Sequence, residues 1–222
     1  MTGDTLTPFQ IKDCALISIA TGRRVQNLRE FRDQLSQVTE DSIYEHFWGS
    51  RLRPSFSDPE YNNDFAAWAY HGLHNAPLAE RLGVIDPTGF ESLEALRQDL
   101  LDVVEECLEE SDYVLWANRD RMFHFLRSQM VVFDTHRQVN SVGDLAALMP
   151  HMSLGSVFYH FIDARRRTEG GVDDFRQWLA DAGASHPRLS QGLAQVDYAF
   201  STLTELRIKL AELFGGVAGG GE

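Results

Sequence analysis

The stretch SIYEHFWGSRLR, residues Ser42–Arg53, has a near copy, SVFYHFIDARRR, at Ser156–Arg167. With a shift of 114 residues, positions 9–53 align with positions 123–167 without a gap. The alignment holds nine identities in 45 positions, where residue frequencies alone give roughly three. The sequence therefore predicts an internal duplication of one fold unit.

The match continues beyond these two phrases. After a four-residue deletion it resumes with DFAAW at Asp64–Trp68 and DFRQW at Asp174–Trp178. The predicted organisation is a first helical repeat at 9–110, a packed connector at 111–122, a second helical repeat at 123–214 and a disordered tail at 215–222. Because the connector contains Tyr113 and Trp116, which are poor linker residues, we expect the two repeats to form one domain in a pseudo-twofold arrangement.

Helix signals dominate the predicted fold. Each repeat begins with a short apolar run, Cys14–Ala20 and Gln129–Asp134, which is either a brief strand or a buried helix turn. Capping residues predict helix starts at four positions, Asn27, Ser42, Ser141 and Ser156. The predicted fold class is mainly α, an internally duplicated helical unit with at most one short strand per repeat.

Composition excludes several classes of function. The chain has 222 residues and a formal net charge of −13, which argues against non-specific binding to nucleic acid or to anionic membranes. No apolar run approaches the roughly 18 residues of a membrane-spanning helix. The two cysteines form no CxxC pair and the start of the chain is polar, so we expect an acidic cytoplasmic protein.

Several polar residues recur in both repeats, although a packed core does not require them. The first set is His46/His160, Arg51/Arg165, Arg53/Arg167 and Asp64/Asp174, and a weaker set is Thr21, Arg23, Thr135 and Arg137. Arginine offers a planar donor fork to phosphate or carboxylate, and a neighbouring histidine can donate a bond or transfer a proton. These residues are therefore candidates for binding an anion. In the structural alternative, Arg51 pairs with Asp64 and the histidine binds a buried carbonyl.

Three functions stay open at this point. The first is an accessory or regulatory module that binds an anionic small molecule or a protein partner. The second is an enzyme acting on a phosphorylated or carboxylated metabolite, with His46 or His160 as general acid/base. The third is a structural assembly protein, and a homo-oligomer is compatible with all three. Nucleotide, metalloprotease and esterase motifs are absent and His71 and His74 make a poor metal pair, so no cofactor or metal is predicted.

The quoted phrases, together with PFQIKDCALISIATGRRVQNLREF, resemble a bacterial and archaeal family of unknown function, number 5752. The resemblance covers the chain from Phe9 to about Phe214. It implies a stand-alone unit whose signature phrases contain the His, Arg, Asp and Trp positions above. It implies no reaction.

Overall fold

The protein is a mixed α/β structure in a computed structural model that describes residues 7–52, 61–110, 113–181 and 186–219. Helices account for 59% of the described residues and strands for 18%. Two strands of 17 residues each, β1 at Phe9–Val25 and β2 at Phe123–Val139, form a two-stranded antiparallel sheet. The prediction of a mainly α fold with short strands is therefore wrong.

The strands extend well beyond the apolar runs at Cys14–Ala20 and Gln129–Asp134. At the start of β1, Phe9 and Ile11 are buried while Gln10 and Lys12 are exposed, which is the alternation of a half-buried strand. Most side chains after Leu16 are exposed or half-buried. The second half of the strand therefore lacks the apolar alternation by which sequence analysis recognises a strand.

The chain divides into two compact units, and both strands contribute to each of them. Unit 1 contains Met1–Ala15 and Met130–Glu222, and unit 2 contains Leu16–Gln129. Unit 1 thus combines the start of β1 with the helices that follow β2. Unit 2 combines the start of β2 with the helices that follow β1.

The helices of unit 2 build an aromatic core. They are α1 Leu28–Leu35, α2 Glu40–Trp48, α3 Asp64–His71, α4 Ala76–Gly83 and α5 Leu93–Glu109, with 3₁₀ turns at Gly49–Leu52 and Arg119–Arg121. Phe31, Phe47 and Phe65 are buried almost completely. Burial of such large apolar side chains is the main favourable term in folding.

The helices of unit 1 follow a similar order. They are α6 Val142–Leu148, α7 Leu154–Val157, a π-helix Phe158–Asp163, α8 Ala164–Arg167, α9 Asp174–Asp181, α10 Pro187–Ala194 and α11 Leu203–Gly219, with 3₁₀ turns at Met149–His151 and Glu169–Gly171. Phe161, Phe175 and Phe214 are fully buried in its core. The DFxxW phrases of both units lie on helices that face a core, as their spacing predicts.

Two of the four predicted helix starts are confirmed. Asn27 Oδ1 accepts from the backbone N–H of Glu30 at 2.9 Å, and Ser141 Oγ accepts from that of Asp144 at 3.1 Å. The other two are wrong. Helix α2 begins before Ser42, after Thr39, and α7 is capped by Ser153 rather than Ser156. Ser42 and Ser156 are buried within their helices instead.

The connector and the tail also differ from expectation. Tyr113 and Trp116 are 72% and 63% exposed, whereas a packed segment was expected. Residues 111–112 lie outside the described part of the chain. Helix α11 continues to Gly219, so positions 215–219 are helical rather than disordered, and positions 220–222 are not among the described residues.

Candidate functional site

In unit 1, the imidazole of His160 joins the helices to the start of β1. Its Nε2 accepts a hydrogen bond from the backbone N–H of Lys12 at 2.9 Å, and its Nδ1 lies 2.8 Å from Oδ2 of Asp174. Because Nε2 accepts, the proton of the neutral ring is assigned to Nδ1, which donates to Asp174. His160 is only 2% exposed, so both ring nitrogens are engaged inside the protein.

In unit 2, His46 makes the same contacts with the start of β2. Its Nε2 accepts from the backbone N–H of Leu126 at 3.1 Å, and its Nδ1 lies 2.9 Å from Oδ2 of Asp64. Ser42, one helical turn earlier, donates from Oγ to the Leu126 carbonyl at 2.5 Å. Together Ser42 and His46 satisfy both backbone polar groups of one strand residue, which a two-stranded sheet otherwise leaves at its edge.

Aromatic rings surround the first residue of β1 in unit 1. The ring centroid of Phe9 lies 4.9 Å from that of His160, 5.4 Å from Trp178 and 5.5 Å from Phe175. The indole Nε1 of Trp178 donates to the carbonyl of Thr7 at 2.7 Å. The strand start is therefore recognised through one phenyl ring and two backbone groups.

The first residue of β2 has the same surroundings in unit 2. The ring of Phe123 lies 4.8 Å from His46 and 5.5 Å from both Phe65 and Trp68, and Trp68 Nε1 donates to the carbonyl of Arg121 at 2.8 Å. We call residues 7–12 and 121–126 the arms. The receptor for the first arm consists of His160, Phe175 and Trp178, and the receptor for the second arm consists of His46, Phe65 and Trp68. Each receptor holds the arm that belongs to the other half of the sequence.

These contacts define what the repeated histidines can do chemically. A general acid/base must reach a substrate atom directly or through one water molecule. The Nε2 atoms of His46 and His160 instead bind the arms, and their Nδ1 atoms contact Asp64 and Asp174. Both histidines thus act as backbone-binding groups, although the backbone partner is an N–H and not the expected carbonyl.

The guanidinium group of Arg167 is surrounded by partners within unit 1. Its Nε lies 2.9 Å from Asp163 Oδ2, and its Nη2 lies 3.1 Å from Asp174 Oδ2 and 2.9 Å from the carbonyl of Tyr159. The group also lies 4.0 Å above the Tyr159 ring, at cation–π distance. Arg167 therefore extends the receptor network that begins at His160.

Arg165 belongs to a second network. Its Nη2 lies 3.3 Å from Oδ2 of the buried Asp173, and its guanidinium group lies 4.3 Å from the centroid of the Tyr198 ring. Burial raises the pKa of the Asp173 carboxyl, whose Oδ1 also caps α9. In the first half, Arg51 lies in the 3₁₀ turn Gly49–Leu52, and Arg53 lies outside the described residues.

The weaker candidate set lies on the strands and not in loops. The backbone N–H groups of Arg23 and Arg137 donate to the hydroxyls of Thr21 and Thr135, and the residue between each pair has a left-handed backbone. That residue is Gly22 with φ of 77° in β1 and His136 with φ of 57° in β2. Thr21 donates to the carbonyl of Phe125, and Thr135 donates to that of Ile11. The weaker set therefore forms hydrogen bonds within the strands and between them.

Each half has a buried carboxylate, Glu45 and Asp163, that comes from a different aligned position and is not evident from the sequence. A Cβ atom on Gly49 would collide with Cδ of Glu45, because the Glu45 carboxylate fills that space. The same carboxylate accepts from Ser18 Oγ at 2.5 Å. Position 163, which corresponds to 49, is Asp163, and position 159, which corresponds to 45, is Tyr159. A comparison restricted to identical residues in the two halves overlooks a carboxylate that changes position in this way.

Other features of the described residues offer little chemistry. Unit 1 has a shallow depression of about 360 Å³ lined by Pro150, Arg207, Ile208, Ala211 and Glu212. Among the residues that the structure describes, no three or more His, Cys, Asp or Glu side chains are grouped to hold a metal ion. No helix within the described ranges is long and apolar enough to cross a membrane.

One exposed aromatic side chain stands on a fixed backbone in unit 2. Trp116 forms an antiparallel bridge with Asn27, and the N–H of Ala117 donates to the carbonyl of Gln26 at 2.7 Å. The Gln26 side chain returns a bond to the Ala117 carbonyl at 2.8 Å. A packed position was expected for Trp116, because a large aromatic residue is a poor linker residue.

Fold and contacts together define a two-unit α/β protein whose two repeated histidines bind its own strands. The particular family follows from residues 6–215, which match the model of a family of unknown function, DUF5752, and the chain belongs to that family. Comparison with curated proteins gives no match. The structure is similar to that of OrfY from Thermoproteus tenax, with a TM-score of 0.81 and 24% identity over 96% of this chain and 97% of that one.

Proposed function

We propose that this protein is a non-catalytic accessory module that binds a protein partner through the connector of unit 2. The observation that carries the proposal is the exposed indole of Trp116, whose backbone is fixed to residues 26–27. Tryptophan is enriched among the residues that dominate binding energy at protein interfaces. A side chain on an ordered backbone also loses less entropy when it is buried by a partner.

Tyr113 supplies a second exposed ring three residues before Trp116. Tyrosine and tryptophan both combine a large apolar surface with a polar atom, which suits them to interfaces that are exposed in the free protein. The chain carries a formal net charge of −13, so a basic partner surface would be favoured during encounter. A regulatory role would act through this contact.

The repeated His and Arg residues favour a partner over an anion in this proposal. The described guanidinium groups of Arg165 and Arg167 already contact carboxylates, and the histidines bind the arms. We further infer that the halves arose by duplication, because contacts match at positions that are 114 residues apart, or 110 residues apart after the four-residue deletion. The free, buried cysteines Cys14 and Cys107 fit the reducing cytoplasm, which is part of the same proposal.

Photo-crosslinking in the cells that produce the protein tests the proposal. A photoreactive residue at Tyr113 should capture a defined protein, whereas the same residue at Val84, which directly follows α4 and is 73% exposed, should not. Equal capture at both positions would contradict the proposal. For a captured partner, calorimetric titration should show that Trp116→Ala weakens binding by about 30-fold while Val84→Ala leaves it unchanged.

Thermal unfolding separates this function from the alternatives. Trp116→Ala should change the free energy of unfolding by no more than about 0.5 kcal/mol, because the indole is exposed. The wild type should also be screened against phosphate, sugar phosphates, nucleotides and dicarboxylates. If one anion raises the midpoint of wild type but not that of Arg165→Gln, the anion-binding or enzymatic function replaces the proposal.

A further inference from the structure

We propose that the arm at 7–12 is exchangeable between copies of the chain, so that unit 1 of one molecule accepts the arm of a second molecule and gives its own in return. The partner is thus a second copy of this protein. The inference rests on the receptor contacts and is independent of the proposed role of Trp116.

The arm is held in unit 1 only by residues that are distant in sequence. The bonds of Thr7, Gln10, Ile11 and Lys12 reach across 171, 128, 124 and 148 positions, respectively. None of these four contacts depends on the chain segment next to the arm. A second molecule can therefore offer the same atoms in the same geometry.

Recognition of the arm depends largely on groups that any copy supplies. The carbonyls of Thr7 and Ile11 and the N–H of Lys12 are backbone groups, and the phenyl ring of Phe9 enters the aromatic receptor. The other receptor binds FHFL at 123–126 where this one binds FQIK at 9–12. The receptor architecture therefore accepts an extended segment from elsewhere in sequence, provided that it begins with phenylalanine.

Exchange between two molecules replaces each contact with an identical one. Reciprocal exchange of an identical element is a low-cost route to a dimer. The balance between monomer and dimer then depends on protein concentration relative to the effective concentration of the molecule's own arm, which is about millimolar for a short tether. Exchange should consequently be slow and limited in dilute solution and should increase in concentrated or refolding samples.

Two variants that each carry one added cysteine test the exchange in the full-length chain, with Cys14 and Cys107 replaced by serine so that no native thiol competes. The side chains of Gln10 and Gln138 are exposed, and Nε2 of Gln10 donates to Oε1 of Gln138 at 2.9 Å within unit 1. A disulfide between Gln10→Cys in one molecule and Gln138→Cys in another can form efficiently only if the arm of the first lies on β2 of the second. The variants are mixed, refolded together at about 1 mM, which is comparable to the intramolecular effective concentration of the arm, and oxidised.

Gln10→Cys mixed with Gln191→Cys is the matched control, because Gln191 is an exposed glutamine on α10. We expect disulfide-linked heterodimer on non-reducing gels at a yield on the order of ten-fold above this control, because held thiols have a raised effective concentration. The Gln10→Cys/Gln138→Cys double variant should close within one chain. A closed double variant with heterodimer no higher than the control overturns the proposal, and failure of the double variant to close overturns the contact on which it rests.

Discussion

Replacing His160 separates a receptor role from a catalytic one. In His160→Gln the side-chain carbonyl can take the place of Nε2 and accept from the backbone N–H of Lys12, but the bond to Asp174 is lost. In His160→Asn the side-chain amide can take the place of Nδ1 and keep the Asp174 bond, but the Lys12 N–H loses its acceptor. The two variants therefore remove one hydrogen bond each.

The magnitudes follow from what each variant leaves unpaired. A buried donor without a partner costs about 1–3 kcal/mol. His160→Asn leaves the part-buried Lys12 N–H without its acceptor. In His160→Gln, by contrast, Asp174 is partly exposed at 19% and still has Arg167 as a partner. We expect His160→Asn to be less stable than His160→Gln by about 1–2 kcal/mol. His160→Ala removes both bonds and the contact with Phe9, and it should cost about 3–5 kcal/mol.

Urea denaturation at neutral pH, followed by far-UV circular dichroism and near-UV signals together, measures these differences. The same three substitutions at His46 provide a matched series, and they should reproduce the order Gln, Asn, Ala. If all variants of both histidines were as stable as wild type, the receptor interpretation would be refuted. The histidines would then be retained for a ligand or a reaction.

Further predictions concern the core, one buried acid and one glycine. Trp68→Ala and Trp178→Ala should each cost about 3–5 kcal/mol, because each removes a buried indole and its bond to an arm carbonyl; unchanged melting temperatures would contradict the packing described. Burial raises the pKa of Asp173 in the folded state, so its contribution to stability is complete below the unfolded pKa and is lost as pH rises through the folded pKa. Asp173→Asn keeps a capping oxygen, and its stability relative to wild type should increase in urea titrations as pH rises above about 4, the ordinary pKa of an aspartate; a pH-independent difference would count against this. Gly49→Ala should destabilise by about 1–3 kcal/mol in wild type but by less in a Glu45→Ala background, since the new Cβ meets the Glu45 carboxylate; additive costs in the double-mutant cycle would refute that contact.

Helical parts of the fold were predictable because local signals determine them. Asn27 and Ser141 cap their helices as the capping pattern predicts, and the DFxxW spacing places Phe65 and Phe175 in a core. Ser42 was misassigned because a buried serine that donates to a distant carbonyl has the same sequence pattern as a cap. Local sequence cannot distinguish those two partners.

The strands were underestimated for a different physical reason. The second halves of the strands are mostly exposed or half-buried, so Arg23 and its neighbours show no apolar alternation. Without that alternation, the sequence pattern predicts a strand only as far as the apolar run extends. The receptor contacts were also out of reach. The Lys12 N–H that donates to His160 lies 148 positions away in sequence, and neither residue type by itself predicts this hydrogen bond.

Mutual binding of the halves explains why the repeated residues resemble an active site. Each receptor must fit the arm of the other half, so His46 and His160 share the task of accepting a backbone N–H of that arm. Where no arm contact is required, the halves differ, as Glu45 and Tyr159 do at matching positions. Residues that serve a partner are under no such symmetric constraint and are best sought among those that occur once. Trp116 lies on the connector between the aligned segments and therefore meets that criterion.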